Sequence, residues 1–376
     1  MKRLRVGVIG VGHLGRHHAR VLAGIAGVEL VGVADSRIEQ AQTVAAPLGV
    51  RAFRDYRELL QTGLDAVSVA VPTSLHRAIA GACLERKLPT LVEKPLATSL
   101  AEAEQLVALA RRHGTLLQVG HIERFNPALH ALRDQGFQPK FIAAERRGTY
   151  TFRSTDIGVV HDLMIHDLDL LLSLVEAPVR SVSAVGVSLF GPHEDVANAR
   201  IEFADGCVAD LTASRASYNA LRKMRIWSPE GYATLDFAAR CATVVRPSER
   251  LRQGFLDLDG LDLTQPSAIK SHLFGKVFRV DQVAPPESCD QLTLELEDFV
   301  GAVRENRSPR VTGEDALKAM RLADQVLTSL QSHQWDGRPD GPIGPRGELA
   351  PAPIANLPAP KSWRYRPSRS EVPRRS

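Results

Sequence analysis

Cysteine is scarce: four residues in a chain of 376. Cys83, Cys207, Cys241 and Cys289 stand far apart and no two form a C-x-x-C pair. Neither a disulfide framework nor a thiolate metal site is therefore expected, and reduced thiols in a cytoplasmic setting are the default for a chain this long. Long apolar runs are also missing. Nothing approaches the roughly 20 consecutive apolar residues of a membrane helix. The first apolar stretch is broken by Gly10, Gly12 and His13, unlike a secretory leader. Nor is there an excess of one charge in the body of the chain. The net charge is +4, but eight Lys/Arg against four Asp/Glu between Asp336 and Ser376 account for it, leaving 39 of each sign elsewhere. That balance offers no basic field for nucleic acid.

What is present is an ordinary globular composition, 44% hydrophobic and 24% charged, at a length that suits two domains. Up to residue 122, short apolar runs alternate with helical spacing. Strands are expected at Val6–Ile9, Leu30–Ala34, Arg51–Phe53, Ala66–Val71, Leu91–Val92 and Leu116–Val119, with helices at Leu14–Ala23, Arg37–Leu48, Ser74–Arg86 and Leu100–Arg112. This rhythm predicts a doubly wound parallel sheet of the Rossmann type. Residues 123–335 read differently. Helices are expected at Pro127–Asp134, Val160–Val175, Gln291–Glu305 and Glu314–Leu330. Longer strands with turn signals at Asp205-Gly206 and Glu230-Gly231 predict an α+β domain with a large, mostly antiparallel, open-faced sheet. Residues 336–376 hold nine of the 23 prolines and are expected to form a basic, extended or disordered arm; an unanchored tail is favoured over docking through Trp363 and Tyr365. The fold class is thus α/β in two parts with a tail.

Gly10-Val11-Gly12-His13-Leu14-Gly15 spells G-x-G-x-x-G between a buried strand and a helix. The first glycine permits a tight turn, the second lets the backbone approach a pyrophosphate, and the third lets helix and strand pack closely. The anion then meets free N–H groups at a helix N-terminus. Asp35, ending the second strand, suits the paired ribose hydroxyls of NAD and repels the 2′-phosphate of NADP; Arg37 partly offsets that repulsion. NAD is favoured over NADP. His13 and Leu14 lie in the loop and are expected beside the cofactor.

Further motifs follow in order: Val71-Pro72-Thr73-x-x-His76, Glu93-Lys94-Pro95, a run Gly158-x-x-x-Asp162-x-x-x-His166-x-x-Asp169, and Phe299 with Arg310–Asp315. In this order and spacing, over about residues 4 to 332, the chain resembles the Gfo/Idh/MocA family of sugar and cyclitol dehydrogenases. The resemblance implies that Pro72, Thr73, His76, Glu93 and Lys94 belong to the cofactor side. It implies that Lys94 reaches the substrate hydroxyl and the nicotinamide edge, where a cation stabilises a developing alkoxide. It makes His166 the general base or proton relay and Asp162 its orienter or a substrate ligand, and imidazole chemistry suits that task. It also implies a cis bond before Pro95. The family often has glycine where Met164 stands, so a narrower substrate site is expected. No metal is expected: His161, Asp162 and His166 lack the H-E-x-x-H spacing, and hydride transfer needs none.

The segment Val119–Pro127 and the run Val160–Leu172 resemble a bacterial branch of the family that oxidises the 3-hydroxyl of UDP-N-acetylglucosamine. On that resemblance His121 and Arg124 hold the sugar or its diphosphate, a planar guanidinium being suited to phosphate oxygens; Tyr150, Arg153, Arg215 and Lys276 are weaker candidates. An interdomain ion pair is the alternative for Glu123-Arg124. The substrate is then a sugar or nucleotide sugar, with no nucleic-acid or membrane partner, and a homodimer or homotetramer is expected. Competing readings are a dehydrogenase of a free sugar or cyclitol, a dinucleotide-binding regulator without turnover, and an NAD-dependent glycosidase. The joint presence of Lys94, Asp162 and His166 argues against the regulator.

Overall fold

The computed structural model describes residues 3–133, 135–151, 157–190, 193–256, 258, 261–283, 290–334 and 337–341. Its first layer follows the βα alternation: β1 (Leu4–Ile9), α1 (Gly15–Gly24), β2 (Val28–Ala34), α2 (Ile38–Leu48), β3 (Arg51–Phe53), α3 (Tyr56–Leu60), β4 (Ala66–Val69), α4 (His76–Glu85), β5 (Thr90–Glu93), α5 (Leu100–His113) and β6 (Leu117–Gly120). The strands pair in the order β3-β2-β1-β4-β5-β6, all parallel. β4, β5 and β6 are buried at every position, as a sheet covered on both faces requires. Caps fix the longest of these helices: Ser99 accepts from the Glu102 N–H, and Gly114 takes the left-handed conformation after a last turn of Arg111, Arg112 and His113. α3 is an addition to the expected pattern, its start set by Asp55 accepting from the Arg57 N–H.

The second layer begins with α6 (Pro127–Arg133) and β7 (Phe141–Arg147). A π-wound turn at Val160–Met164 then leads into α7 (Ile165–Leu174), where a single α-helix was expected. The entrance to that turn is held by Glu194, which accepts from Val160 N–H through its carboxylate and from Val159 N–H through its carbonyl. The remaining elements are β8 (Val179–Val187), β9 (Val196–Phe203), β10 (Val208–Ser214), β11 (Leu221–Ser228), β12 (Gly231–Asp236), β13 (Cys241–Pro247), α8 (Glu249–Arg252), α9 (Pro266–His272), β14 (Phe278–Val283), α10 (Gln291–Glu305) and α11 (Gly313–Ser332). An eight-stranded sheet, ordered β14-β13-β12-β11-β7-β10-β9-β8, is antiparallel except where β10 meets β7. β13, α8, α9 and β14 had no counterpart in the sequence reading.

One core runs from the Rossmann layer into the second sheet, joining Val67 and Val92 to Ile142, Ala199 and α11 residues such as Met320 and Val326. A second core carries Val6, Val8 and Leu22 with Leu296, Phe299 and Val300, so α10 packs on the Rossmann layer although it comes late in the chain. Phe299 is fully buried there, and its truncation to alanine would cost about 3–5 kcal/mol. α11 starts with a reciprocal capping box between Thr312 and Asp315. The strand edge just before it ties to β6, where Val119 N–H donates to the Val311 carbonyl. No helix among the described residues is long and apolar enough to cross a membrane.

Candidate active site

At the C-terminal ends of the parallel strands lies a cleft of about 970 Å³. Gly10, Gly12, His13, Leu14, Asp35, Arg37 and Pro72 line it. The three glycines do separate work. Gly10 has φ +82°, and a Cβ there would press on the Ala70 carbonyl at 2.7 Å. A Cβ on Gly15 would overlap the Gly10 carbonyl, whereas one on Gly12 would meet nothing and project into open space. The first turn of α1 carries no side-chain cap, and its Arg16, His17 and His18 N–H groups donate to the Gly12 and Leu14 carbonyls, so an anion would meet the N–H groups of the glycine loop ahead of them. Asp35 braces the loop: Val11 N–H donates to its Oδ2 at 3.1 Å and Arg37 N–H to its Oδ1 at 3.0 Å. These features fit a dinucleotide pyrophosphate and ribose. Arg54, Asp55, Tyr56 and Arg57 also line the cleft. Sequence reasoning missed them, although Asp55-x-x-Glu58 is a usable helix-start signal.

Of the other expected cofactor residues, Thr73 opens a short 3₁₀ turn before α4. His76 is turned inward. It is 1% exposed, its ring nitrogens 2.9 Å from the Pro95 carbonyl and 3.0 Å from the Val71 carbonyl, so it straps together the loops that end β4 and β5. Glu93 closes β5 inside the core, and the Lys94–Pro95 bond is cis.

Lys94 crosses to the second layer. Its Nζ donates to the Asp162 carbonyl at 2.7 Å and lies 3.3 Å from Asp162 Oδ1, joining two residues 68 apart in sequence. His166 lies near by. Burial holds its imidazole well below the ordinary value, and the charges of Lys94 and Arg146 add to the effect. It is therefore neutral at physiological pH, free to accept a proton. Its ring meets that of His121 edge-on, centroids 6.5 Å apart. His121 is 1% exposed and is likewise lowered chiefly by burial.

Arg124 is turned into the protein, its NH1 3.3 Å from the Asp169 carbonyl and 3.8 Å from Asp169 Oδ1. Its neighbour Glu123 pairs with Arg146 at 2.7 Å; Arg146 also forks onto Asp167 with two bonds of 2.9 Å. Arg146 was missed, yet it shares strand parity with the inward Ile142 and Ala144. Met164 is fully buried within the apolar core, so the narrowing expected from it is not found. Arg215 is committed to Asp195 at 2.7 Å and to the Ile157 carbonyl at 2.8 Å, and Tyr150 stacks on Phe190. Lys276 sits in the π-wound turn before β14. Arg153, Cys289, Trp363 and Tyr365 lie outside the described residues.

The profile described as "Oxidoreductase family, NAD-binding Rossmann fold" (Gfo/Idh/MocA) matches residues 4–121, and that of the Gfo/Idh/MocA C-terminal domain matches residues 128–234. The chain is 36% identical to UDP-N-acetylglucosamine 3-dehydrogenase of Acidithiobacillus ferrooxidans, over 88% of this chain and 99% of that protein. A solved structure of that enzyme superposes with a TM-score of 0.77, covering 88% of this chain and 98% of the other. Scyllo-inositol 2-dehydrogenase (NAD(+)) of Bacillus subtilis is 32% identical over 57% of this chain and 68% of its own length. With both of its layers matched and Lys94 joined to Asp162 across them, the chain belongs to the Gfo/Idh/MocA oxidoreductase family of NAD-binding dehydrogenases that act on CH–OH groups.

Proposed function

We propose that this protein is an NAD-dependent dehydrogenase that oxidises the 3-hydroxyl of a UDP-N-acetylhexosamine, with UDP-N-acetylglucosamine as the substrate that fits best. The observation that carries this reading is the bond from the Lys94 ammonium to Asp162 across the two layers, with the Lys94 charge acting on a neutral, half-buried His166. The likeness to the Acidithiobacillus enzyme along nearly its whole length supports the nucleotide sugar over a free cyclitol. Asp35, facing the cleft with Arg37 beside it, supports NAD over NADP. The bound nicotinamide supplies the hydride acceptor. Lys94 holds the substrate hydroxyl and stabilises its developing negative charge. His166 takes the hydroxyl proton on its ring, and Asp162 fixes the direction of Lys94. His121 and Arg124 shape the substrate side from beneath, through His166 and Asp169. The domains divide near residue 122, with α10 returning to the Rossmann layer, and the open sheet of the second domain serves a homodimer or homotetramer.

The test is NADH formation, by absorbance, with UDP-N-acetylglucosamine, UDP-N-acetylgalactosamine, N-acetylglucosamine, glucose and myo-inositol. A nucleotide sugar should exceed every free sugar in kcat/KM by about a hundredfold or more, because binding energy from the remote nucleotide lowers the barrier at the reacting hydroxyl. Since His166 titrates below 6.5, the acid limb of kcat/KM should fall below that pH and vanish in His166→Asn. A free cyclitol turned over as fast as the nucleotide sugar overturns the substrate assignment. NAD binding without turnover of any compound favours the regulator.

A further inference from the structure

One residue from Lys94, three ionisable side chains from three distant segments converge in the interior. His18 of α1, Glu93 at the end of β5 and Glu295 of α10 place their nitrogen or oxygen atoms within 4.8 Å of one another. His18 and Glu295 are 0% exposed and Glu93 9%. The bonding is unequal. His18 Nδ1 lies 2.9 Å from Ser68 Oγ and its Nε2 2.9 Å from Glu93 Oε1. Glu93 Oε2 accepts from the Lys94 N–H at 3.2 Å. Glu93 thus uses both oxygens. Neither carboxyl oxygen of Glu295 has a partner among the described residues, although its backbone carbonyl accepts from Gln118 Nε2 at 3.1 Å.

Two carboxylates this close in a dry interior cannot both be charged. The groups facing each settle where the charge resides. Around Glu93 stand His18, Lys94 and His76; around Glu295 stand Glu93, His18 of α1 and, from its own helix, Asp298. Burial raises Glu295 well above the carboxylate range, and the negative charges of Glu93 and Asp298 raise it further. Burial works against Glu93 too, but the close contact with His18 and the neighbouring Lys94 and His76 outweigh it and hold that carboxyl low.

We propose that Glu93 and Glu295 share one negative charge and one proton, the charge on Glu93 and the proton on Glu295. Glu295 is then a positioning residue. By staying neutral it leaves the Glu93 carboxylate bound between His18 and the Lys94 amide, the turn from which the Lys94 side chain departs. The carboxyl pair stands independently of the substrate reading; only its consequence for hydride transfer rests on the role proposed for Lys94. A divalent cation held by the same three ligands is the competing way to neutralise them. His18 and Glu93 already meet directly, at 2.9 Å.

The test uses the full-length protein and no substrate. Infrared spectra should show the carbonyl stretch of a protonated carboxylic acid at neutral pH, missing in Glu295→Gln. Above about pH 4.3, the unfolded-state value of glutamate, the native protein holds a proton that the unfolded chain releases, so stability falls as pH rises. Glu295→Gln lacks that dependence. The ratio of wild-type to variant unfolding constants should therefore grow by up to about tenfold per pH unit through this window. Glu295→Leu, apolar and of similar size, should show the same flattening if the glutamine variant does not fold. Three results would each overturn the proposal. They are no acid carbonyl band at neutral pH, a wild-type-to-variant ratio constant with pH, and one divalent metal per purified chain that Glu295→Gln fails to retain. None involves turnover, so failure here leaves the substrate reading standing.

Discussion

Replacing Lys94 with alanine separates what the ammonium does for the fold from what it does for the reaction. In the folded protein Nζ makes one bond of 2.7 Å to the Asp162 carbonyl and one contact of 3.3 Å to its carboxylate. Those side chains are 17% and 23% exposed, so solvent screens the pair and its loss should cost about 1 kcal/mol or less. Against developing alkoxide charge the same group is a preorganised donor, and removing one such donor costs about 10²–10³ in kcat, or roughly 3–4 kcal/mol. The catalytic effect therefore dominates. Lys94→Ala should lose about two to three orders of magnitude in turnover while its urea midpoint and NAD affinity stay near wild type. A second signature comes from His166. Burial is the main reason its imidazole titrates low, and the Lys94 charge is next. Deleting that charge must raise the histidine, so the acid limb of the residual activity should move to higher pH. NADH absorbance across pH, nucleotide-binding fluorescence and urea melts measure the three quantities. Turnover within tenfold of wild type, or an acid limb that stays put or moves down, would refute the reasoning.

Two further outcomes are expected. Asp35→Ser removes a carboxylate that accepts from Val11 and Arg37 N–H and faces the ribose end of the cleft. NAD affinity should drop by about tenfold or more, at roughly 1.5–3 kcal/mol for a lost charged hydrogen bond, while NADP affinity holds or rises; an unchanged NAD-to-NADP ratio of dissociation constants counts against the cofactor assignment. Arg146→Met strands Glu123 and Asp167, both nearly inaccessible, and should cost about 3–5 kcal/mol in urea unfolding. The loss should be larger at pH 7 than at pH 5. Stranded carboxyls titrate high in the folded state, so the native protein binds more protons than the unfolded one and stability falls as pH rises. A variant that melts at the wild-type midpoint at both values contradicts the buried-network reading.

What the sequence made legible was whatever repeats locally. The G-x-G-x-x-G loop, Asp35 at the end of β2 and the buried runs of β4 to β6 are set by neighbours a few residues away, and they fall where their periodicity puts them. The helix after Gly158 shows the limit of that kind of signal. Its apolar spacing reads as uninterrupted α-helix, but Glu194, more than 30 residues on, binds the N–H at its entrance, and the first turn is π-wound. The region beyond β12 shows another limit. β13 and β14 lie at the outer end of the second sheet; β14 buries none of its residues and β13 only Ala242 and Val244, so the alternation they offer is short. The polar interior is the part least open to local reading. Arg146 has the parity of a core position but the chemistry of a surface one. It is tolerable inside only because Glu123 and Asp167 arrive from two other elements. Glu295 presents the same difficulty more sharply. In sequence it is one acid in an amphipathic helix, beside Glu297 and Asp298, and any of the three fits a solvated face. Only α10 packing on the Rossmann layer turns Glu295 toward Glu93 and His18, and on the proposal above the neighbours each carboxyl meets there decide which keeps its proton. Motifs name the residues that meet the reacting atoms; the residues that set the charge state beneath them are chosen by the tertiary fold.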